Sequence, residues 1–396
     1  MSRLKDLMAE LCPDGVEYKT LGDIATDIFR GAGVKRTDIT DEGIPCVRYG
    51  EIYTTYGIYF DTCVSHTRLD RVSSPKYFEH GDILFAITGE SVDEISKSTA
   101  YVGDEKCIAG GDIVVMRHQQ DPKYLSYVLS TDMAQKQKSK GKIKSKVVHS
   151  SVPAIKEIVI PVPPLPVQRE IVRILDNFTE LTAELTAELT AELTARKKQY
   201  EYYRDRLLTF TGGRVEWKTL NEISKNLDSQ RKPVKQQNRN CGLFPYYGAS
   251  GVVDYVDRFI FDGDYLLVSE DGANLLSRST PIAFPVKGKI WINNHAHVLK
   301  FESMDLQRFV EFYLNSIDLR KYLSTAAQPK LIKDNLNKIP IPLPDASRIH
   351  YIVSILDRFD ALTHDLASGL PAEIAAREKQ YAYYRDKLLS FPRKEM

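Results

Sequence analysis

Cysteine is scarce in this chain and never clustered: Cys12, Cys46, Cys63, Cys107 and Cys241 stand far apart, with no C-x-x-C spacing. An odd, scattered set excludes a disulfide framework and a thiolate zinc site, and fits a reducing cytoplasm. Long apolar runs are missing too. No stretch approaches the ~20 apolar residues that a membrane helix requires, and the opening MSRLKDLMAEL carries acids where a signal peptide carries an apolar core. Its Leu4, Leu7, Met8 and Leu11 instead fall at helical spacing, as in a short docked helix. Neither sign of charge dominates: 54 Lys and Arg face 53 Asp and Glu. Total charge thus gives no reason to expect nucleic acid, and any such case rests on where the charges lie.

Catalytic signatures are equally sparse. No G-x-x-x-x-G-K-[ST] phosphate loop is present, and Gly31-Ala32-Gly33 has the wrong continuation for one. Pro163-Pro164 is followed by Leu165-Pro166, not by the aromatic of an amino-methyltransferase motif. Pro13-Asp14 with Glu17-Tyr18-Lys19 mimics a nuclease metal site, but the acids stand too close to flank a strand turn. His295-Ala296-His297 needs a third ligand to hold a metal, and a polar strand or a base-reading loop accounts for it better.

What the chain has is repetition. Residues 195–210, ARKKQYEYYRDRLLTF, return as AREKQYAYYRDKLLSF at 376–391, with twelve of sixteen positions identical at an offset of 181. The same offset pairs Ile160-Pro161-Val162-Pro163 with Ile341-Pro342-Leu343-Pro344. VEYKTL at 16–21 returns as VEWKTL at 215–220, now at an offset of 199, so the first variable stretch is 18 residues longer. Each half has a fixed opening, a divergent globular stretch and a fixed helical close. The order is nearly circular, which predicts equivalent halves with the two chain ends close to one another. Length and a hydrophobic share of 43% support two packed domains.

The helical closes read as spacers. Residues 167–210 lack Gly and Pro and predict a helix of roughly 65 Å at ~1.5 Å per residue. Its centre holds three tandem TAEL units at 182–193, and Leu181, Leu185, Leu189 and Leu193 with Phe178 set an 11-residue frame that favours a nearly straight stripe. The second close is interrupted by Ser368-Gly369-Leu370-Pro371, which predicts a break at 369–371. The expected organisation is a first head with a short N-terminal helix at 1–151, a first spacer at 152–213, a second head at 214–335 and a second spacer at 336–396. The expected fold class is α+β, with two globular α/β heads separated by two long antiparallel helices in a pseudo-two-fold repeat. Short strands are predicted at 44–47, 83–87, 259–268 and 290–292, and helices near 124–129 and 309–314.

Basic residues are localised in both heads. Lys136, Lys138, Lys140, Lys142, Lys144 and Lys146 alternate through an acid-free run, and on an extended segment they would share one face. In the second head Arg231, Lys232, Lys235 and Arg239 occupy an acid-free stretch rich in Gln and Asn, followed by Tyr246, Tyr247 and Ser250. Lys and Arg meet phosphates, whereas Arg, Asn, Gln and Ser can read groove edges. Arg30, Lys35 and Arg36 in the first head, and Asn293, Asn294 and His295 in the second, complete the candidate DNA contacts. A solvated face explains one such run as readily, but a basic segment in each repeated head favours nucleic acid.

The paired heads, near-identical closes, I-P-V-P and I-P-L-P lead-ins and TAEL units resemble the specificity subunits of type I restriction–modification enzymes, in particular the type IC-like group with TAEL spacer repeats. The resemblance implies that each head is a target recognition domain reading part of a split site in double-stranded DNA. It implies two modification (methyltransferase) subunits and further restriction/translocase subunits as partners, with no membrane. S-adenosylmethionine, ATP and Mg would belong to those partners, leaving no cofactor and no catalysis on this chain. It also makes Tyr200, Tyr203, Tyr381 and Tyr384 candidates for partner contact. The alternative is a two-headed protein–protein adaptor with a coiled-coil spacer and no DNA contact.

Overall fold

A computed structural model describes residues 2–140, 147–210, 215–325, 328–364 and 369–394. The chain forms two compact units, Met1–Glu188 with Ile374–Met396 and Leu189–Glu373. Each unit contains one head and part of the helical closes.

The brackets of the repeat are one another's strand partners. In the first unit Tyr18–Thr20 pairs antiparallel with Val159–Pro161, placing Lys19 opposite Ile160. In the second unit Glu216–Thr219 pairs with Pro340–Leu343, placing Lys218 opposite Ile341. The next residue docks in the same way in both: Leu21 N donates to Ile158 O at 2.8 Å and Leu220 N to Ile339 O at 2.9 Å. Both leucines are fully buried. This shared local pairing explains why the brackets keep their residue types while the intervening sequence diverges.

The first head carries two five-stranded sheets. One has the order Ala25–Arg30, Ile113–His118, Ile83–Ala86, Ser98–Tyr101, Tyr59–Phe60. Its central strands are buried on both faces by strict alternation. Ile83, Phe85, Val114 and Met116 face a core shared with the helix Pro122–Leu129, whereas Leu84, Ala86, Ile113 and Val115 face a second core with Val47, Phe60 and Phe78. Asp121 caps that helix by accepting Tyr124 N at 3.0 Å, and Pro122 fits its first turn. Leu4, Leu7 and Met8 of the helix Ser2–Leu11 pack on the first core, as their spacing predicts, while Leu11 stays exposed.

The C-terminal end completes this unit. Val16 N donates to Pro392 O at 2.9 Å, Lys394 N donates to Val16 O at 3.0 Å, and Tyr18 Oη donates to Phe391 O at 3.0 Å. In the second half of the sequence Phe210 precedes Val215 by five positions in the same chain, and residues 211–214 lie outside the described residues.

The second head is a six-stranded sheet in the order Lys225–Asn226, Ala296–Lys300, Phe261–Ser269, Ala283–Ile292, Cys241–Gly248, Gly251–Val256. Leu266 and Val268 face a core with the helix Met304–Ser316, and Tyr265 and Leu267 face another with Ile290 and Val298. On that helix Arg308 reaches Glu311, Asp357 and Asp360. Burial disfavours the Arg308 charge, but the three carboxylates outweigh it and push its pKa up. Gly81 adopts a φ of +93° at the turn before the strand Ile83–Ala86, which suits glycine, whereas Gly263, with a φ of +143°, lies inside the strand Phe261–Ser269 opposite Gly288.

The first helical close is a single helix, Leu165–Leu208, of 44 residues. It begins two residues before the predicted start, because Pro166 is tolerated in a first turn whose N–H groups have no helical partner. The second close consists of Ala346–His364 and Leu370–Leu388, with residues 365–368 outside the described residues. Pro371 is the second residue of the latter helix.

Candidate nucleic-acid interface

The lysine run does not form the extended ribbon its alternation predicts. Thr131 caps a helix, Asp132–Lys138, by accepting Ala134 N at 3.4 Å, and the good helix formers Gln and Lys follow. A helix scatters alternate residues around its axis. Lys136 and Lys140 are exposed, but Lys138 is buried, its Nζ donating to Leu129 O at 2.7 Å and Ser98 Oγ at 3.2 Å. Burial lowers the Lys138 pKa to about 7. It braces the head and is corrected out of the DNA-contact set. Lys142, Lys144 and Lys146 lie outside the described residues.

Arg30, Lys35 and Arg36 are exposed beside a cleft of about 600 Å³ lined by Arg36, Arg48, Tyr49, Gly50, Thr54 and Asp112 among others. Arg30 Nη2 pairs with Asp112 at 2.8 Å, and its Nε donates to Gly111 O. Arg48 is held from one side by Glu51 at 2.9 Å, and the buried Glu51 carboxylate also accepts from Ser65 Oγ at 2.7 Å. Arg48, Tyr49 and Gly50 escaped the sequence reading because they belong to no basic run. The available signal was an Arg-Tyr-Gly step directly after the strand Ile44–Val47.

In the second head two arginines are structural. Arg231 donates to Glu270 and to Ala296 O, both at 2.8 Å, and lies 3.4 Å from Asp228. Arg239 pairs with Asp254 at 3.1 Å and lies over the Tyr246 ring at 4.3 Å. Tyr246 is buried, its hydroxyl accepting Val234 N at 3.0 Å. Asn293 is also buried, its Oδ1 accepting His295 N at 2.8 Å. These four residues position the surface rather than forming it.

Lys232, Lys235, Ser250, Asn294 and His295 are exposed and Tyr247 is half-buried. Part of this set converges. Asn293 N donates to Tyr247 O at 3.1 Å, Ser269 Oγ donates to Ala249 O at 2.6 Å, and His295 Nδ1 lies 2.9 Å from Asp271. Burial raises the Asp271 carboxyl, but bonds from His295 and Lys330 overcome it and leave its pKa below the usual range. His297 is fully buried, with Nδ1 2.6 Å from Asp228 and Nε2 2.6 Å from Leu331 O, so both ring nitrogens are committed within the fold.

The partner-contact candidates divide similarly. Tyr203 stacks on Phe359 at 5.6 Å and Tyr200 lies 6.4 Å from the same ring, within the second unit. Tyr381 shares a 2.8 Å hydrogen bond with Thr179, and Tyr384 lines a groove with Phe178 and Leu181, within the first unit. Tyr203 and Tyr384 are exposed at 38% and 48%, which keeps them available to a partner.

Residues 13–195 and 214–376 both match the type I restriction modification DNA specificity domain. The chain belongs to this family. It is 36% identical over 268 residues to the Escherichia coli type I restriction enzyme EcoR124I/EcoR124II specificity subunit, covering 61% of this chain and 64% of that one. It is 38% identical over 207 residues to the EcoprrI specificity subunit of Escherichia coli, covering 51% and 50%. The chain thus spans less than two thirds of either relative in these matches. Among solved structures, a chain of a type I R-M system studied for complex assembly superimposes with a TM-score of 0.68 at 16% identity, covering 96% of this chain and 98% of that one. The HsdS subunit from Thermoanaerobacter tengcongensis gives 0.53 at 17% identity, covering 96% of each chain. At such identities the likeness concerns fold, and it supports the mixed helix-and-sheet architecture with two specificity domains and one long central helix. Among the described residues, no helix is long and apolar enough to cross a membrane.

Proposed function

We propose that this chain is the DNA sequence-specificity subunit of a type I restriction–modification complex, each head reading one part of a split, asymmetric target. The observation that carries this reading is the doubled specificity domain: one bracket register, built twice, bounds two heads with different exposed polar groups. The helical closes act as spacers that set the gap and dock two modification subunits, with Tyr203 and Tyr384 as contacts. The tandem TAEL units support membership of the type IC-like group. Methyl transfer and translocation, with S-adenosylmethionine, ATP and Mg, belong to partner subunits. This chain contributes recognition without catalysis, in the cytoplasm.

A salt titration of the complex with its modification partner on duplex DNA tests the reading. Phosphate contacts release counterions, so affinity should fall steeply and linearly in log–log form as salt rises. Salt-insensitive or absent duplex binding refutes it and favours the protein–protein adaptor.

A further inference from the structure

The two heads share a backbone junction that their sequences do not reveal. In each, two neighbouring strands run parallel: Ile44–Val47 beside Cys107–Ala109, and Cys241–Gly248 beside Ala283–Ile292. Just past the strand ends Gly110 N donates to Val47 O at 2.8 Å, and Asn293 N donates to Tyr247 O at 3.1 Å. Two residues on, Asp112 O accepts Ile87 N and His295 O accepts Glu270 N, each at 2.9 Å. The carbonyls of Ile87 and Glu270 then accept Ser150 N and Leu331 N, each at 2.8 Å. These bonds make Val47 the counterpart of Tyr247. By chain order Arg48, Tyr49 and Gly50 correspond to Gly248, Ala249 and Ser250. Gly110, Gly111 and Asp112 likewise correspond to Asn293, Asn294 and His295.

Every shared bond is made by main chain, so the frame is common while the side chains on it are free to differ. Where parallel strands end and their chains diverge, a crevice is left beyond the carboxyl ends, the usual place for a ligand on an open sheet. In the first head this crevice opens into the cleft of about 600 Å³ that holds Arg36, Arg48 and Tyr49. In the second head the same positions present exposed Ser250, Asn294 and His295.

We propose that this crevice is the base-reading position of each head, and that the two half-sites differ because different side chains stand on one backbone frame. This inference rests on the DNA-reading assignment, which it deepens. Guanidinium groups of the first head suit the O6 and N7 acceptors of guanine. The amide and hydroxyl of the second suit the paired donor and acceptor of adenine.

The test is selection from a randomised duplex library by the full chain in complex with its modification partner, followed by sequencing and affinity measurement. Gly50→Val narrows the first crevice without strain, because Gly50 does not have a left-handed φ and, apart from its chain neighbours and its own helix, no atom lies within 4 Å of where a Cβ would stand. Gly50→Val and Arg36→Ala should weaken or relax one half-site about tenfold and leave the other unchanged. Asn294→Ala and Ser250→Ala should do the reverse. If the parent enriches a split site and all four variants enrich it with parental affinity, the crevice assignment is overturned while the DNA-reading assignment stands. If the parent enriches no sequence, both fall.

Discussion

Removal of residues 389–396 should unfasten the opening of the first unit and spare the matching opening of the second. Leu389 is 2% exposed in the core that also holds Val16 and Leu21, and Phe391 packs against it. Losing a buried leucine and part of a phenylalanine costs about 3–4 kcal/mol. The deletion also removes the acceptors of Val16 N and Tyr18 Oη and the donor from Lys394 N, three bonds worth about 1 kcal/mol each. A loss of roughly 6 kcal/mol is comparable with the whole stability of an ordinary domain. Water that satisfies the freed Val16 groups lowers this figure but does not restore the burial. Hydrogen exchange resolves the two copies in one experiment. Amides of residues 16–21 should lose protection by several orders of magnitude, while residues 216–220 keep theirs. Unchanged exchange at 16–21, with an unshifted denaturation midpoint, would refute the claim that the C-terminal end replaces chain continuity here.

Two further outcomes follow from the structure. Burial lowers Lys138 from its usual 10.5 to about 7. Between those values the unfolded chain therefore binds more protons, and the stability of the first unit should rise with pH across about 7 to 10.5, the gain being lost as pH falls back over that range and gone below about 7. The ceiling is about 5 kcal/mol. Lys138→Met should flatten the rise, and parallel pH slopes for parent and variant in urea melts would exclude the effect. Deleting the TAEL unit at 186–189 shortens the helix by ~6 Å, against ~3.4 Å per base pair. The gap between half-sites, read by mapping methylated adenines, should shrink by about one or two base pairs with both half-sites retained. An unchanged gap would argue against the spacer acting as a ruler.

The candidate site was only partly legible in the sequence. Arg30, Lys35, Arg36, Lys232, Lys235, Ser250, Asn294 and His295 emerge on the surface as expected of contact residues. Lys138, Arg231, Arg239, Tyr246 and Asn293 turn inward; the first four are held by groups that local sequence does not reveal as neighbours, and Asn293 by the backbone N–H two residues on. Alternating lysines misled because polar alternation specifies a strand only when one face is buried. Here a threonine cap and helix-forming side chains prevailed.

Sequence alone determined the repeat, the long first helix and the likeness of the two halves, because these depend on local pattern: helix-forming residues without Gly or Pro, proline lead-ins and duplicated brackets. It could not show that the opening strand pairs with the lead-in some 140 residues later, nor that Val16 is completed by Arg393 and its neighbours. Those are long-range backbone bonds, and every residue offers the same donor and acceptor. Tertiary structure also decided which cations remain in water: Arg231 and Arg239, enclosed beside Glu270 and Asp254, become part of the frame, whereas Arg30 stays exposed although it pairs with Asp112. The shared crevice belongs to that level too. It is built from main-chain groups, so two heads with different side chains can present it alike.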